Sequence, residues 1–493
     1  VATGNDAGTT GTILLTGAGS SLTTIDNGAG FFGNVYAGYL GDGNITVADG
    51  ASLTANGQLR VGWLSGATGA LTVESGGTLS TGVGSADYAA SYGNDYGAII
   101  GNDAGSTGSV TVTGTGSSWT DHGSLVVVGY AGDGSLNVLD GASVSAQSLA
   151  IAYDTGGAGA VTVSGAGSSL TTTGGVTIGV RIEGHSPGST GSLLVENGAT
   201  FETLGGYEAG DPNPGGGGMY ITSGGTVTVT GAGSALNIGM AHNGTPTTWT
   251  TSDGWLSIGD GSVTVSDGAS LQADGVYVQG AANGEGMMTV TGSGSSMDAH
   301  LCLYVGGDTH DSGGDGTLTI SDGATASASV ITAGVDSGVT GSITVTGAGS
   351  SLTTVDNGAG FYGNVYAGYA GEGNITVADG AALTANGQLR LGWDSGATGA
   401  VTVESGGTLS TGAGSADYAA SYGNGYGAII GGAAGATGAV TVTGTGSSWT
   451  DHGSAVVIGS SGDGALNVLD GASVAIQSLA VAFDAGGSGS VAV

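Results

Sequence analysis

The chain has 493 residues, among them 110 glycines and no lysine, and only three basic side chains, Arg60, Arg181 and Arg390, oppose 38 acids. A formal net charge of −35 repels phosphate backbones and anionic lipid, which excludes a nucleic-acid-binding protein. A single cysteine excludes an intramolecular disulfide, and no apolar run approaches the roughly 18 residues that would insert into a membrane.

Short runs of alternating apolar and polar residues repeat along the whole chain, separated by Gly, Asp and Asn. Alternation predicts strands with one buried face, and Gly and Asp supply the positive φ angles of sharp corners. The shortest unit has 25 residues and the longest 39. The units begin at Gly11, Gly43, Gly69, Gly108, Gly134, Gly159, Gly191, Gly225, Gly261, Gly286 and Gly316, and Gly341 then opens a second copy.

Three short strands and three corners in each unit predict one coil of a single-stranded parallel β-helix, an all-β solenoid of about 16 coils at a spacing near 4.8 Å. We expect one continuous solenoid over residues 1–493, with a super-repeat at 11–340 and a partial copy at 341–493. Residues 11–163 and 341–493 are identical at about four positions in five. The least regular section is 181–315, because all prolines and methionines fall between Pro187 and Met297.

Acidic residues recur at the corners and form a first candidate metal site. Carboxylates at fixed corners could contribute to calcium sites together with loop and backbone oxygens, although no cofactor is required. The candidate residues are Asp42, Asp49, Asp133, Asp140, Asp315 and Asp322. The acids of the second corner, Asp49, Glu74, Asp140, Glu196, Asp267 and Asp322, mostly alternate with neutral coils, which predicts that alternation limits repulsion between carboxylates.

The longest unit, 69–107, contains the segment SADYAASYGNDYG. Tyr88, Tyr92 and Tyr96 are spaced four residues apart, which places them on one face of a strand. Long loops in compact repeats are usually functional, and tyrosines offer amphipathic contact area. We therefore predict a contact surface here and at the copies Tyr418, Tyr422 and Tyr426; the alternative is that these tyrosines cover the flank of the solenoid.

The segment SSWTDHGS, at 117–124 and again at 447–454, holds the residue types of a hydrolase. Strand alternation directs the adjacent Asp121 and His122 to opposite faces, whereas a catalytic relay needs the histidine between the other two groups. Trp119 occupies the position that Leu53 and Leu170 fill in other coils. The segment, with its copy at Ser448, Asp451 and His452, is therefore interpreted as a structural corner, and no catalytic residue is predicted.

The segment HLCLYVGGDTH, residues 300–310, is a second possible metal site. Alternation places Leu301, Leu303 and Val305 inside, which predicts that His300, Cys302 and Tyr304 point outward. With His310 nearby, a zinc site is conceivable, but exposed polar residues on an ordinary strand are the favoured interpretation. An outward Cys302 would be a reactive thiol.

The segments VTVTGAGSSL, LRVG, GDGSLNVLDGASV and VTIG resemble the repeats of bacterial autotransporter passengers and related surface-exported β-helix proteins. The resemblance covers essentially the whole chain. It implies a right-handed parallel β-helix on the cell surface or outside the cell, with a role in adhesion, cell aggregation, or matrix or filament building. The chain begins inside the repeated pattern, without a signal peptide, so it is interpreted as a segment of a longer protein.

The predicted function is an extracellular structural or adhesive rod that displays surface loops at regular intervals and is not an enzyme. Its expected partners are a cell-surface or matrix component, a glycan, or another copy of itself. A self-assembling filament subunit is the first alternative. A polysaccharide-degrading β-helix enzyme and an ice-binding solenoid are further ones, the latter because threonines recur outward on the first strand.

Overall fold

The computed structural model describes residues 1–26, 32–84, 95–179, 188–204, 217–239, 254–280, 284–307, 313–356, 362–414 and 425–493. They belong to two compact units, Val1–Asn243 with Ser252–Gly254, and Gly244–Thr251 with Trp255–Val493. Within the described ranges every regular element is a β-strand, and no helix there could span a membrane. The predicted continuity of the solenoid through residues 240–253 lies outside the described residues.

The first unit repeats three strands per coil, and each strand pairs in parallel with its equivalent in the next coil. First strands are Thr10–Leu15, Asp42–Val47, Thr68–Val73, Thr107–Thr113, Asp133–Leu139, Ala158–Ser164, Thr190–Glu196 and Gly225–Thr230. Second strands are Ser21–Thr23, Ser52–Thr54, Thr78–Thr81, Ser118–Asp121, Ser143–Ala146, Ser169–Thr172, Thr200–Thr203 and Ala235–Ile238. Third strands are Ala2–Thr3, Val35–Ala37, Leu59–Val61, Ala98–Ile100, Val126–Val128, Leu149–Ile151, Val176–Ile178 and Met219–Ile221.

The second unit has the same three columns of strands. First strands are Ser262–Ser266, Glu285–Thr291, Asp315–Ser321, Thr340–Thr346, Glu372–Ala378, Thr398–Val403, Thr437–Thr443, Asp463–Leu469 and Ser488–Ala492. Second strands are Ser351–Thr354, Ala382–Ala385, Thr408–Thr411, Ser448–Asp451 and Ser473–Ala475. Third strands are Trp255–Gly259, Val365–Ala367, Leu389–Leu391, Ala428–Ile430, Val456–Ile458 and Leu479–Val481.

Three coils of the second unit depart from this pattern. Their second and third strands join into single strands, Ser270–Gln279, Ser296–Val305 and Thr325–Ala333. The joined strands pair with register shifts between Ala273 and Gly275 and between Ala299 and Cys302. A bulge therefore replaces the corner that separates these strands elsewhere in the molecule.

The core of each unit is a stack of identical positions from successive coils. In the second-strand column of the first unit, Leu79, Trp119 and Val144 pair in register, as do Val144 and Leu170. All four side chains are buried. One coil alone buries little apolar surface, so the stacking of neighbours supplies the hydrophobic stabilisation. The predicted parallel β-solenoid is confirmed, while the handedness and the number of coils remain predictions.

The glycines that open the sequence units form a column of their own. Gly43 pairs with Gly69, and Gly108 with Gly134, at the start of the first strands. A Cβ atom on Gly43 would lie 1.9 Å from the backbone nitrogen of Gly38. Glycine is therefore required where each third strand turns into the next first strand, because the two backbones approach too closely for a side chain.

A second column lies just after each first strand, where every residue has a positive φ. Its members are Gly17, Asp49, Ser75, Gly114, Asp140, Gly165, Asn197 and Gly231 in the first unit, and Asp267, Gly292, Asp322, Gly347, Asp379, Ser405, Gly444 and Asp470 in the second. Glycine, aspartate and asparagine tolerate this left-handed conformation best. Glycine and acidic or amide coils therefore alternate along most of the column.

This column corrects the predicted order of the second-corner acids. Glu74 and Glu196 lie one residue before it, at or just beyond the end of the first strand, and Ser75 and Asn197 occupy the left-handed position. Asp49 and Glu74 therefore do not occupy equivalent positions in adjacent coils. Charge alone aligns Asp49 with Glu74, whereas the conformation of the corner aligns Asp49 with Ser75.

Candidate functional site

The repeated SSWTDHGS segment is a strand followed by a corner, as predicted. Trp119 and Asp121 are buried and His122 is exposed, so the carboxylate and the imidazole lie on opposite sides of the strand. The Nε1–H of Trp119 donates to Thr81 Oγ1 at 2.9 Å, and the Thr81 hydroxyl donates to Asp121 Oδ1. In the second copy Trp449 Nε1 lies 3.0 Å from Thr411 Oγ1.

Burial raises the pKa of Asp121 to about 8, because desolvation outweighs the hydrogen bonds from the Thr81 hydroxyl and the Gly123 amide; repulsion from Asp95 adds to the rise. Its Oδ2 atom is buried without a hydrogen-bond partner. The pKa of Asp451 is raised for the same reason, although the nearby His452 opposes the rise. Asp121 and Asp451 are therefore buried structural carboxyl groups, and burial raises the pKa of both.

The corner acids divide into two groups with different surroundings. Asp49 and Asp140 accept hydrogen bonds from threonine hydroxyls of the preceding coil, Thr16 at 2.7 Å and Thr113 at 3.0 Å. Asp322 does the same with Thr291 at 3.0 Å. The second group, Asp42, Asp133 and Asp315, begins the first strands and therefore lies at the opposite end of each strand.

These positions do not bring the predicted calcium ligands together. Within the ranges that the structure describes, no group of three or more His, Cys, Asp or Glu side chains could hold a metal ion. A calcium ion takes six to eight oxygen ligands. A corner carboxylate that accepts a hydrogen bond from a threonine has a structural role that needs no calcium ion. The carboxylates of Asp49, Asp140 and Asp322 link adjacent coils.

The expected exposure of Cys302 is wrong. Its side chain is fully buried. The other positions are as predicted: Leu301, Leu303 and Val305 are buried, and His300 is exposed. The register shift after Ala299 places Cys302 opposite Gly275 and Val330, within hydrogen-bond distance of Tyr277 and Tyr304. Burial raises the pKa of the thiol to about 12, although hydrogen bonds to Tyr277 and Tyr304 lower it. The predicted zinc partner His310 lies outside the described residues.

An arginine that packs against two aromatic rings is a feature that the sequence did not reveal. The guanidinium carbon of Arg60 lies 4.0 Å from the ring centroid of Trp63 and 5.3 Å from that of Tyr36. Arg60 also donates to the Tyr36 hydroxyl at 2.7 Å and to Gln58 Oε1 at 2.9 Å. Tyr39 packs edge-on against Tyr36. Tyr36, Tyr39, Arg60 and Trp63 are called the first arginine–aromatic cluster.

The second unit contains the same cluster at Tyr366, Tyr369, Arg390 and Trp393. Arg390 lies 4.3 Å from the Trp393 centroid and 5.2 Å from that of Tyr366. It donates to the Tyr366 hydroxyl at 2.6 Å. Cation–π contacts of this kind stabilise by about 0.5–2 kcal/mol, depending on how far the cation is desolvated. Each of the two described arginines is therefore held in place by one tryptophan ring and one tyrosine ring.

The register of the third strands explains how this cluster forms. Tyr36 pairs with Arg60, and Arg60 with Ile99, so they occupy the outward position of successive third strands. Trp63 follows its strand by two residues, and its amide donates to Gly38, beside Tyr39. Alignment of the segments VYAGY and LRVGW could have revealed the pairing, but two other strands, Asp42–Val47 and Ser52–Thr54, separate them in the sequence.

A tyrosine cluster continues the same flank in the first unit. Its apolar floor is formed by Ile99, Leu125, Val127 and Ala150, and the side chains packed on it are Trp63, Tyr96, Tyr130 and Tyr153. Tyr130 and Tyr153 stack with ring centroids 5.2 Å apart. Tyr96, Tyr130 and Tyr153 are called the tyrosine cluster. In the second unit Tyr426 contacts Phe483 instead, at 6.2 Å.

The predicted tyrosine contact surface is described only at one end. Tyr88, Tyr92, Tyr418 and Tyr422 lie outside the described residues, so their contact role stays a prediction. Tyr96 and Tyr426 are half-buried on the flank of the solenoid. For these two residues the packing corresponds to the covering alternative.

A shallow groove of about 430 Å³ crosses the first-strand column of the first unit. Glycine, serine, threonine and alanine line it, and Asp133 is its one titratable lining residue. Glycoside hydrolysis uses a pair of carboxyl groups that flank the bond to be cleaved. The groove offers a single carboxylate and therefore does not resemble such a site.

The fold and these clusters define a parallel β-solenoid with an aromatic flank in each unit. Neither the protein-family models nor the curated proteins compared with this chain gave a match.

Proposed function

We propose that this chain is an extracellular structural and adhesive scaffold, which displays the same contact surface more than once. The surface is the arginine–aromatic cluster of the first unit and its copy in the second unit. Arginine, tryptophan and tyrosine are the residue types that contribute most to binding at interfaces. Export to the cell surface is part of the proposal and is supported by the resemblance of the repeats to autotransporter passengers.

The observation that carries the proposal is the duplicated geometry of the clusters. The arginine-to-tryptophan distances are 4.0 Å and 4.3 Å, and the arginine-to-tyrosine ring distances are 5.3 Å and 5.2 Å. Two identical weak sites on one chain gain about 10²–10⁴ in avidity against a repetitive surface when the geometry permits both to bind. A cell surface or an extracellular matrix is a repetitive surface.

The test compares variants that lack one cluster or both. Tyr39→Ser with Trp63→Ser removes the first, and Tyr369→Ser with Trp393→Ser removes the second. The chain is displayed on bacterial cells, and both cell aggregation and retention on immobilised matrix are measured. Avidity predicts a loss of roughly 10²-fold with either pair and near-complete loss with both.

Tyr220→Ser is the matched control, because Tyr220 lies in the same outward column through its pairing with Thr177 but belongs to neither cluster. It should bind as the unaltered chain does. Full binding by the variant that lacks both clusters, with an unchanged melting temperature, would falsify the proposed surface. Self-association of the purified chain into filaments under negative-stain microscopy would instead support the filament alternative.

Ice binding is a second candidate function, favoured by one specific observation. In the second unit the outward threonines form an uninterrupted column that pairs in register across seven first strands, Thr264, Thr289, Thr319, Thr344, Thr376, Thr402 and Thr441. Hydroxyl and methyl groups recur there at the strand spacing of about 4.8 Å. Thermal hysteresis that disappears with Thr344→Lys would support this function, and no hysteresis would exclude it.

A further inference from the structure

We propose that the tyrosine cluster is a site of oxidative cross-linking, in which Tyr96 and Tyr153 couple to form dityrosine. Their hydroxyl oxygens lie 3.1 Å apart and their ring centroids 6.3 Å apart, with the ring planes at 66°. The two rings therefore meet at their hydroxyl edges. The proposed coupling is a modification of the flank and does not depend on what the arginine–aromatic clusters bind.

The chemistry requires this edge-to-edge geometry. Removal of a hydrogen atom from a tyrosine gives a phenoxyl radical whose unpaired electron is shared between the oxygen and the ring carbons ortho to it. Those carbons flank the hydroxyl, so contact between two hydroxyl edges brings the reactive carbons together. The hydrogen bond between Tyr96 and Tyr153 keeps the edges facing each other, and the stack of Tyr130 on Tyr153 holds the second ring from its face.

The reaction balances with hydrogen peroxide as the oxidant, used by a haem peroxidase. Each of the two tyrosines loses one hydrogen atom, and the radicals join through one carbon–carbon bond between ortho positions. The ring protons that this bond displaces return to the phenol oxygens. The two electrons and two protons removed in total reduce one hydrogen peroxide to two waters. Tyr96 and Tyr153 are both partly exposed, so a peroxidase can oxidise the cluster from the surface of the folded chain.

The composition of the chain favours tyrosine for a covalent link between coils. A disulfide is impossible with one cysteine, and Cys302 is buried. Links that begin from a lysine amine are impossible because the chain has no lysine, whereas it has 17 tyrosines. A Tyr96–Tyr153 link would close a loop of 57 residues in the unfolded chain, and a cross-link of that length stabilises the folded state by restricting the unfolded one.

The second unit supplies an internal control. The residues equivalent to Tyr130 and Tyr153 are Ser460 and Phe483. Tyr426 still contacts the Phe483 ring, with centroids 6.2 Å apart, but phenylalanine cannot form a phenoxyl radical. The cross-link should therefore form in the first unit alone, and Phe483→Tyr should create a second one with Tyr426.

The experiment treats the dilute purified chain with peroxidase and limiting hydrogen peroxide, then identifies linked peptides by mass spectrometry and dityrosine fluorescence. We expect a Tyr96–Tyr153 peptide that has lost two hydrogens and a higher melting temperature of the oxidised chain. Tyr153→Phe should abolish that peptide, and Phe483→Tyr should add a peptide in which Tyr426 is linked to the introduced side chain. Denaturation before oxidation should eliminate both, because the fold places the rings together.

Two results would overturn the proposal. One is the absence of the Tyr96–Tyr153 peptide from folded protein in which other tyrosines have coupled. The other is a yield of that peptide that is the same in folded and denatured chains. The Phe483→Tyr variant keeps the test valid if Tyr153→Phe alters the local packing, because a gained cross-link cannot result from misfolding.

Discussion

Residues 11–163 and 341–493 are two copies of one sequence, and the structure shows where they have diverged. The arginine–aromatic cluster is kept, with corresponding distances that agree within a few tenths of an ångström. The tyrosine cluster is not kept, because Tyr130 and Tyr153 correspond to Ser460 and Phe483. Asp95 also differs and corresponds to Gly425. Along this flank, both copies therefore retain the arginine–aromatic cluster, and only the first copy has the tyrosine cluster.

The comparison indicates that the core and the flank have different constraints. Trp119 and Trp449 have the same buried environment and the same threonine partner type. Packing at interior density allows little variation at such positions. The flank is half-exposed and can exchange tyrosine for serine without a cavity, so specialisation of one copy occurs there.

The largest expected effect follows removal of the conserved tryptophan from either copy. Trp119→Ala or Trp449→Ala should each destabilise its own unit by about 3–5 kcal/mol, because a fully buried indole leaves a cavity. Trp119→Phe, which loses the hydrogen bond to Thr81 but keeps most of the ring volume, should cost less. Hydrogen exchange by mass spectrometry measures the loss in each unit, and clearly unequal effects of Trp119→Ala and Trp449→Ala would contradict equivalent cores.

The two copies should respond differently to pH. The pKa of Asp121 is about 8 in the folded chain against an ordinary value of 3.8, so folding binds the proton more tightly. Its contribution to stability is complete below about pH 4 and is lost as the pH rises through 8. We expect local stability around Asp121 to fall by a few kcal/mol over that range.

Around Asp451 the fall should be smaller, because His452 opposes the rise of its pKa and Asp95 has no counterpart there. Hydrogen exchange at several pH values, compared with Asp121→Asn and Asp451→Asn, measures the difference between the copies. The asparagine variants should remove most of the pH dependence. An equally steep profile in Asp121→Asn would show that another group titrates.

The smallest effect concerns charge at the left-handed corners. Gly114 lies between Ser75 and Asp140 in its column, and Gly444 lies between Ser405 and Asp470. Gly114→Asp or Gly444→Asp should place a carboxylate beside another at about 4.8 Å and destabilise by about 0.5–1 kcal/mol more at low salt than at high. Gly114→Asn and Gly444→Asn impose the same backbone strain without charge.

The melting temperature of each aspartate variant, relative to its asparagine control, measures the effect of the added charge in each copy. We expect the difference to shrink as salt is added, and to the same extent in both copies. A difference that is insensitive to salt would assign the alternation to backbone conformation alone.

Sequence periodicity predicted the register of the coils well and the flank poorly. The unit-opening glycines and the position of Trp119 could be aligned because every coil needs a small residue or an apolar residue at the same place. Cys302 was misplaced because strict alternation was extended through a bulge that no residue type marks. The arginine–aromatic cluster is not visible in the sequence because Tyr36 and Arg60 are 24 residues apart, with a first and a second strand between them, and only the pairing of third strands brings them together.

The left-handed column has a consequence for the number of coils in the repeat. Strict alternation of glycine and acidic corners can continue from one super-repeat into the next only if each super-repeat has an even number of coils. The sequence repeats after eleven units. The alternation is interrupted at Ser75, which lies between Asp49 and Gly114 in the column. Removal of residues 69–107 would bring Asp49 next to Gly114 and leave ten coils in which glycine alternates with aspartate or asparagine. The coil 69–107 is therefore the one coil that the alternation does not require.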